Sequence, residues 1–258
     1  MKLDVSFYAV QNLRKFELDA LNIEENNYAT LKELKAYRGA ERLWFKVARK
    51  LQRPLPRPES YYAEKASTVY DPGVFEIEGP TYFDGFWQNE RYFSGMKDQL
   101  RREFFPRNGL GVVAKNYIEQ MKEGHSVSVH VRRGDYVRDQ KTNQVHGTCS
   151  IEYYRKAIEH IKSSDGRSNF YIFSDDLPWC RVNLDFIPNA IFVDGTESAI
   201  EDVILMSACN DFIIANSSFS WWGAWLGEGA SSKVISPLHW VKSNPEGKKW
   251  VPERWYQI

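Results

Sequence analysis

Short apolar segments alternate with helical segments from residue 111 to the C-terminus, and this alternation limits the chain to few architectures. The apolar segments are SVSVHV, NFYIFS, AIFVDG, DFIIAN and SKVISP. Short strands that are apolar throughout are typical of a parallel sheet with helices on both faces. The pattern therefore predicts an α/β fold of the doubly wound type.

Two helices of this region carry N-terminal signals. SIEYYRKAIEHIK follows Ser150, which is placed as an N-cap, and its apolar residues recur on one face. Ser198 and Glu201 have the spacing of a capping box ahead of DVILMSAC. We therefore expect helices to begin directly after Ser150 and Ser198.

The first part of the chain is less regular, and we predict one domain over residues 1–110 and a second over residues 111–258. The opening segment MKLDVSFYAV has a strand-like apolar pattern. Residues 29–52 have a helical pattern broken near Gly39, and the segment that follows this break is basic. A solvated helix face is the preferred interpretation, and contact with an anionic membrane surface is the alternative. The basic residues are Lys46, Arg49, Lys50 and Arg53.

Charge and cysteine content exclude several classes of protein. Basic and acidic residues balance at 34 each, so we expect no nucleic-acid partner and only a local anion site. Cys149, Cys180 and Cys209 are an odd, widely spaced set, which argues against a disulfide framework or a zinc site. The sequence contains no signal-peptide pattern and no membrane-span pattern. We therefore expect a cytoplasmic protein, with a peripheral position on the inner face of the membrane as the alternative.

Polar residues follow four of the predicted strands. Because the carboxyl ends of parallel strands share one edge of the sheet, these side chains are expected to meet at one rim. They are His130, Arg132, Arg133 and Asp135, then Ser174, Asp175 and Asp176, then Asp194 and Thr196, and last Asn216, Ser217, Ser218 and Ser220.

This rim has the chemistry of a diphosphate site. The planar guanidiniums of Arg132 and Arg133 match phosphate oxygens in pairs. The NSSFS turn adds hydroxyl groups and backbone N–H groups at a helix start, which also favours an anion. His130 fits either a contact with a nucleotide or a satisfied core histidine. The RGD triplet at residues 133–135 is interpreted as a chance match to an adhesion motif.

Five blocks, in order along most of the chain, resemble the α-1,2-fucosyltransferase family of bacteria and animals. They are FDGFWQNERYF, HVRRGDY, HGTCSIEYYRKAI, FYIFSDD and DFIIANSSFSWWGAWL. The resemblance implies a GT-B-like fold of two Rossmann-like halves with parallel sheets. It also implies an inverting, metal-independent transfer of L-fucose from GDP-β-L-fucose, with no cofactor besides this donor. The acceptor would be the 2-hydroxyl of a galactoside, on a galactose-containing oligosaccharide or a glycolipid.

The resemblance assigns roles to single residues. Arg132 and Arg133 would hold the GDP diphosphate and stabilise its departure, with His130 against the nucleotide. Asp202 would read the guanine edge. The other residues expected to bind the donor are Asn216, Ser217, Ser218 and Phe219.

The base that would deprotonate the acceptor is left open. Asp135 is counted among the catalytic residues because it lies close to the arginine pair in the chain. Asp84 and Glu90 are further candidates, since they lie in the aromatic segment expected on the acceptor side. All three also fit a structural role.

One family feature is missing. The family usually opens with a strand and a glycine-rich GGLGNQ loop, whereas this chain begins at KLDVSFY, so we expect an incomplete N-terminal half. The alternative function is a GDP-sugar-binding protein with weak or no transferase activity. A metal-dependent glycosyltransferase that uses FSDD is less favoured, because no further acid or histidine lies at a suitable spacing. We expect Asp175 and Asp176 to form a structural turn.

Overall fold

The computed structural model describes residues 2–9, 16–23, 27–38, 61–65, 68–162, 168–242 and 250–258, with the backbone alone at 135, 141, 142 and 162. The chain divides into two compact units, Met1–Ser94 and Gly95–Ile258. The division comes earlier than the boundary expected at residue 110, because helix α2, Lys97–Glu103, packs on the last long helix of the second unit.

The first unit contains short elements. Strands β1, Tyr61–Ala63, and β2, Tyr82–Asp84, pair in parallel. Helix α1, Leu31–Tyr37, begins at a capping box formed by Thr30 and Glu33. The 3₁₀ turns of this unit are Ser6–Ala9, Leu18–Ala20, Pro72–Glu76 and Glu90–Tyr92.

The strand expected at the start of the chain is wrong. Leu3 makes one isolated parallel bridge with Tyr28, and Ser6–Ala9 forms a 3₁₀ turn. The Ser6 backbone N–H donates to Asp4 Oδ1 at 2.9 Å. This local side-chain bond takes a donor that a strand ladder would need.

The helix expected over residues 29–52 is described only in its first part. α1 accounts for Leu31–Tyr37, and the basic residues from Lys46 to Arg53 lie outside the described residues. Contact of that segment with a membrane therefore stays a prediction. Within the described ranges, no helix has the length and apolar character needed to cross a bilayer.

The second unit is a doubly wound α/β domain, as predicted. Its strands are all parallel and lie in the order β5-β4-β3-β6-β7-β8. They are β3 His125–Val131, β4 Ser168–Ser174, β5 Ala190–Phe192, β6 Asp211–Ile213, β7 Val234–Ser236 and β8 Tyr256–Gln257. Chain order runs from β3 outward to β5, then returns to β6 beside β3, so the strand order reverses between β3 and β6.

Helices precede or connect these strands, and most follow the predicted segments. They are 3₁₀ turn Ser94–Met96, α2, α3 Val112–Lys122, α4 Gly134–Arg138, α5 Gln140–Val145, α6 Ile151–Lys162, α7 Leu177–Asn183, α8 Ala199–Ser207 and α9 Ser218–Gly227. The core lies between the sheet and α6, where Val129, Ile158 and Ile172 are almost fully buried. α9 is apolar on all sides, which is typical of a helix inside a protein, and Trp225 within it is 1% exposed.

The helix caps are confirmed in part. Ser150 Oγ accepts from a backbone N–H in the first turn of α6 at 3.1 Å, and Ser198 Oγ accepts from Glu201 N at 3.3 Å. The reciprocal bond of the capping box is absent from the described contacts. The Glu201 carboxylate accepts from Gly111 N at 2.6 Å and from Glu197 N at 2.7 Å instead, so it ties the start of α3 to α8.

Candidate active site

The candidate site lies at the carboxyl ends of β3 and β6, where the strand order reverses. Val129 of β3 is paired with Ile213 of β6. In doubly wound sheets the connections on either side of such a point leave the sheet on opposite faces, and the crevice between them binds ligands. β3 ends directly before Arg132, and β6 is followed closely by Ser217, the N-cap of α9.

His130 lies at the end of β3 and is 3% exposed. Its ring centroid is 5.5 Å from that of Phe219 on α9, and its Nδ1 has no hydrogen-bond partner among the described residues. Burial, with a smaller contribution from the charge of Arg132, lowers the pKa of His130 to about 3. The imidazole is therefore neutral at pH 7, and a buried polar nitrogen without a partner is a group that a ligand can satisfy.

Arg132 follows β3 and pairs with the residue that follows β4. Its Nη1 lies 2.9 Å from Asp175 Oδ2, and its guanidinium carbon is 5.6 Å from the ring centre of Tyr136. The ion pair and the ring together limit the orientations of the guanidinium. Arg132 is therefore held in place before any donor arrives.

Arg133 is held in a similar way by the next acid. Its Nε lies 3.1 Å from Asp176 Oδ2, and its guanidinium carbon is 3.8 Å from the ring centre of Trp179. The Arg133 backbone N–H donates to Asp175 Oδ1 at 2.9 Å. The two acids of FSDD are thus the partners of the two arginines.

The backbone between the arginines and α4 approaches Asp175 closely. A Cβ placed on Gly134 would lie 2.5 Å from Asp175 Oδ2, so this position requires glycine as long as Asp175 stays where it is. Asp135 is the next residue, in the first turn of α4, and its side chain is not described. Its expected role as a base stays a prediction.

Asn216 is 3% exposed, and its side chain joins its own loop to two others. Its Nδ2 donates to the carbonyl oxygens of His146 at 3.0 Å, Gly147 at 3.2 Å and Trp240 at 3.2 Å. Cys149 Sγ donates to its Oδ1 at 3.6 Å. The amide donors are therefore already used within the protein, and a direct contact with donor stays a prediction.

The residues after Asn216 form the start of α9. Ser217 is the N-cap, and its hydroxyl accepts from Phe219 N at 3.3 Å. Ser218 is exposed and Phe219 half-buried, while Ser220 Oγ donates to the Ser217 carbonyl at 3.3 Å. At the exposed Ser218, the first turn of α9 presents backbone N–H groups and the positive end of the helix dipole.

Asp202 lies in the first half of α8, a helix that packs on α9 and β3. Thr196 Oγ1 donates to Asp202 Oδ1 at 2.8 Å. Burial raises the pKa of Asp202 to about 6, against the lowering effect of the Thr196 bond. Perturbed carboxyl groups of this kind are enriched at functional sites.

The other candidate bases belong to the first unit. Asp84 ends β2 and accepts a hydrogen bond from the Tyr61 hydroxyl. Glu90 begins a 3₁₀ turn capped by Asn89. Each has a local structural partner or position, and neither is assigned a catalytic role.

The structure thus brings the ends of β3, β4 and β6 together. It also places two aromatic side chains in the site that were not predicted from the sequence. Tyr136 and Trp179 each lie against one of the paired arginines. Trp179 had a local signal, since Asp176 and the proline that follows mark a helix start.

Comparisons with known proteins identify the family. The family model for glycosyl transferase family 11 matches residues 59–255. An alpha-1,2-colitosyltransferase of Escherichia coli is 35% identical, and the match covers 100% of this chain and 88% of that protein. The Escherichia coli O-antigen biosynthesis glycosyltransferase WbnK is 39% identical, over 49% of this chain and 43% of its own length.

An animal relative agrees with these matches. Galactoside alpha-(1,2)-fucosyltransferase 1 of Leontocebus fuscicollis is 31% identical, over 56% of this chain and 42% of its own length. No solved structure matches the chain. The resemblance to α-1,2-fucosyltransferases is thereby confirmed at the level of the family. The chain belongs to glycosyl transferase family 11, whose members use a nucleotide-sugar donor and a glycan acceptor.

Proposed function

We propose that the protein transfers L-fucose from GDP-β-L-fucose to the 2-hydroxyl of a galactoside and inverts the anomeric centre to give an α-1,2 linkage. The observation that carries this proposal is the arginine pair at the switch point, with Arg132 and Arg133 oriented by Asp175 and Asp176 beside the buried, neutral His130. The relatives named for α-1,2 transfer support the linkage.

In this proposal, catalysis comes from stabilising the negative charge of the leaving group, GDP. The acceptor oxygen bonds to C1 of fucose while the bond from C1 to the β-phosphate oxygen breaks, and negative charge builds up on the diphosphate. Guanidinium donors and the N–H groups of the first turn of α9 stabilise this charge more in the transition state than in the ground state. Arg132 and Arg133 are the proposed catalytic residues of this step.

The remaining residues have supporting roles in the proposal. The acceptor proton passes to a carboxylate, and Asp135 is the proposed base because it lies two residues after Arg133. Ser217, Ser218 and Phe219 line the diphosphate and ribose, and Asn216 positions the loops around them. No metal ion is proposed, because the two acids at the end of β4 are already paired with arginines.

Donor affinity is expected to depend on the ionisation of Asp202. The guanine edge presents N–H donors, so it binds the ionised carboxylate, whose pKa burial raises to about 6. Holding that charge in the folded protein costs about 3 kcal/mol at pH 7, a cost that donor binding can offset. Affinity for GDP-fucose should be level above pH 7 and fall about tenfold per pH unit below pH 6.

Isothermal titration calorimetry between pH 5 and 8 measures this dependence. GDP-fucose is the suitable ligand, because its diphosphate has no terminal phosphate group that titrates near pH 6. Asp202→Asn should give weaker binding and a flat profile. A wild-type profile as flat as that of Asp202→Asn would contradict the assignment of Asp202 to the guanine edge.

A donor and acceptor screen tests the proposed function. Purified protein is incubated with GDP-fucose, GDP-colitose or GDP-mannose and with lactose or methyl β-galactoside, with and without EDTA, and products are analysed by mass spectrometry and NMR. We expect transfer from GDP-fucose to O2 of galactose, with the α configuration. Preference for GDP-colitose would retain α-1,2 transfer and overturn the fucose assignment, whereas loss of activity in EDTA would overturn the metal-independent mechanism.

A further inference from the structure

The Arg133 guanidinium contacts two residues of one short segment, Asp176 and Trp179. Asp176 Oδ2 accepts from Arg133 Nε, with an N···O distance of 3.1 Å, and the Trp179 ring lies under the guanidinium, with its centre 3.8 Å from Cζ. Only 18% of the Arg133 side chain is exposed. An ion pair fixes one edge of the guanidinium, and a stacked ring fixes its plane.

Asp176 and Trp179 are also hydrogen-bonded to each other. The other carboxylate oxygen of Asp176, Oδ1, accepts from the Trp179 backbone N–H at 3.2 Å as the N-cap of α7. Trp179 also packs against the buried core of the sheet and α6. Because one carboxylate caps the helix that carries the ring, the carboxylate and the ring cannot shift independently.

Among the described residues, no side chain or backbone group takes up the Nη edge of Arg133. Of its five side-chain N–H donors, the one on Nε is used by Asp176. Nη1 and Nη2 have no hydrogen-bond partner in the part of the chain that the structure describes. Those two nitrogens carry four N–H groups in the fork that matches phosphate oxygens.

We propose that Trp179 is a positioning residue for sugar transfer: together with Asp176 it fixes the plane of the Arg133 guanidinium so that the Nη edge is presented to the donor diphosphate. This inference rests on the proposed donor-binding role of the arginine pair and adds a residue outside the motifs that define that pair. Trp179 acts through Arg133 and is not itself a catalytic residue.

Loss of the ring frees the guanidinium while its charge and its ion pair remain. A cation–π contact at a partly desolvated site and a misplaced catalytic group each account for effects of this size, so Trp179→Leu should lower kcat/KM for the donor roughly 10- to 30-fold. GDP should also bind more weakly in calorimetry, a measurement that needs no turnover. Trp179→Phe keeps a ring and should recover most of both losses.

Phe186 offers a matched control. Arg155 Cζ lies 3.8 Å from the Phe186 ring centre, the same separation as in the Arg133–Trp179 pair, and Phe186 also packs on the core. Phe186→Leu therefore removes an equivalent cation–π contact and an equivalent ring from the same domain. It should change thermal stability without changing GDP affinity or kcat/KM.

A double-mutant cycle decides between positioning and a general effect on the fold. If Trp179 works through Arg133, Trp179→Leu should cause no further loss of GDP affinity in an Arg133→Ala background. Equal losses in both backgrounds, or a loss for Phe186→Leu as large as for Trp179→Leu, would overturn the inference. Failure of the wild-type protein to bind GDP would overturn the proposed function, and this inference with it.

Discussion

Arg132→Ala is expected to lower kcat/KM for fucosyl transfer by about a thousand-fold, which corresponds to about 4 kcal/mol of transition-state stabilisation. The Arg132 Nη1 lies 2.9 Å from Asp175 Oδ2, so the guanidinium is oriented in advance and need not reorganise during the reaction. Alanine leaves the departing diphosphate without this charge and without its donors. Lysine restores the charge but not the planar fork, so Arg132→Lys should recover only part of the activity.

Steady-state kinetics with GDP-fucose and lactose measures this effect, and Arg138→Ala is the matched control. Arg138 is an exposed residue at the end of α4, so its removal changes the net charge of the same segment by the same amount. A loss of kcat/KM confined to Arg132→Ala identifies a local role for Arg132. Equal losses in both variants would indicate a long-range electrostatic effect of the net charge instead. Near-normal turnover by Arg132→Ala, with unchanged thermal unfolding, contradicts the diphosphate assignment.

Local periodicity is sufficient to predict the sheet of the second unit. It does not predict the ion pairs between arginines and acids that orient the side chains of the candidate site. β4 contains the continuous apolar run FYIF, which is expected for a strand buried on both faces and is visible in the sequence. In β3 the valines alternate with serine and histidine side chains that are buried as well. Arg133 and Asp176 are 43 residues apart, and only the parallel register brings them together. Val131 is paired with Ser174, so the next two residues of each chain segment meet in the same order, as arginines against acids.

Other features depend on tertiary contacts that have no local signal. Asn216 is an asparagine at a strand end, a common ligand position, yet its amide joins three loop carbonyls that meet only in the folded domain. Glu201 has the spacing of a capping box, but the N–H of Gly111 donates to its carboxylate at 2.6 Å. In both cases a tertiary hydrogen bond replaces the bond that local spacing suggests.

The second large effect is expected at Glu228, directly after α9, where the side chain is 7% exposed. Its Oε2 accepts from Trp255 Nε1 at 2.7 Å and from Arg254 Nε at 3.2 Å, and its Oε1 lies 3.4 Å from Lys97 Nζ. One carboxylate thus joins α2, the end of α9 and the C-terminal segment. Removal of it takes the acceptor away from the buried indole N–H and takes a negative charge away from the neighbouring Lys97 and Arg254.

Glu228→Ala should therefore lower the free energy of unfolding by about 3–5 kcal/mol and the Tm by about 10 °C. Glu119→Ala is the control, because Glu119 pairs with Lys122 at 2.7 Å but is 70% exposed, and such a pair contributes less than about 1 kcal/mol. Glu228→Gln keeps an acceptor for the Trp255 N–H and should fall between the two. Urea unfolding followed by circular dichroism gives all three values, and similar losses for Glu228→Ala and Glu119→Ala would mean that the buried carboxylate adds nothing beyond a surface ion pair.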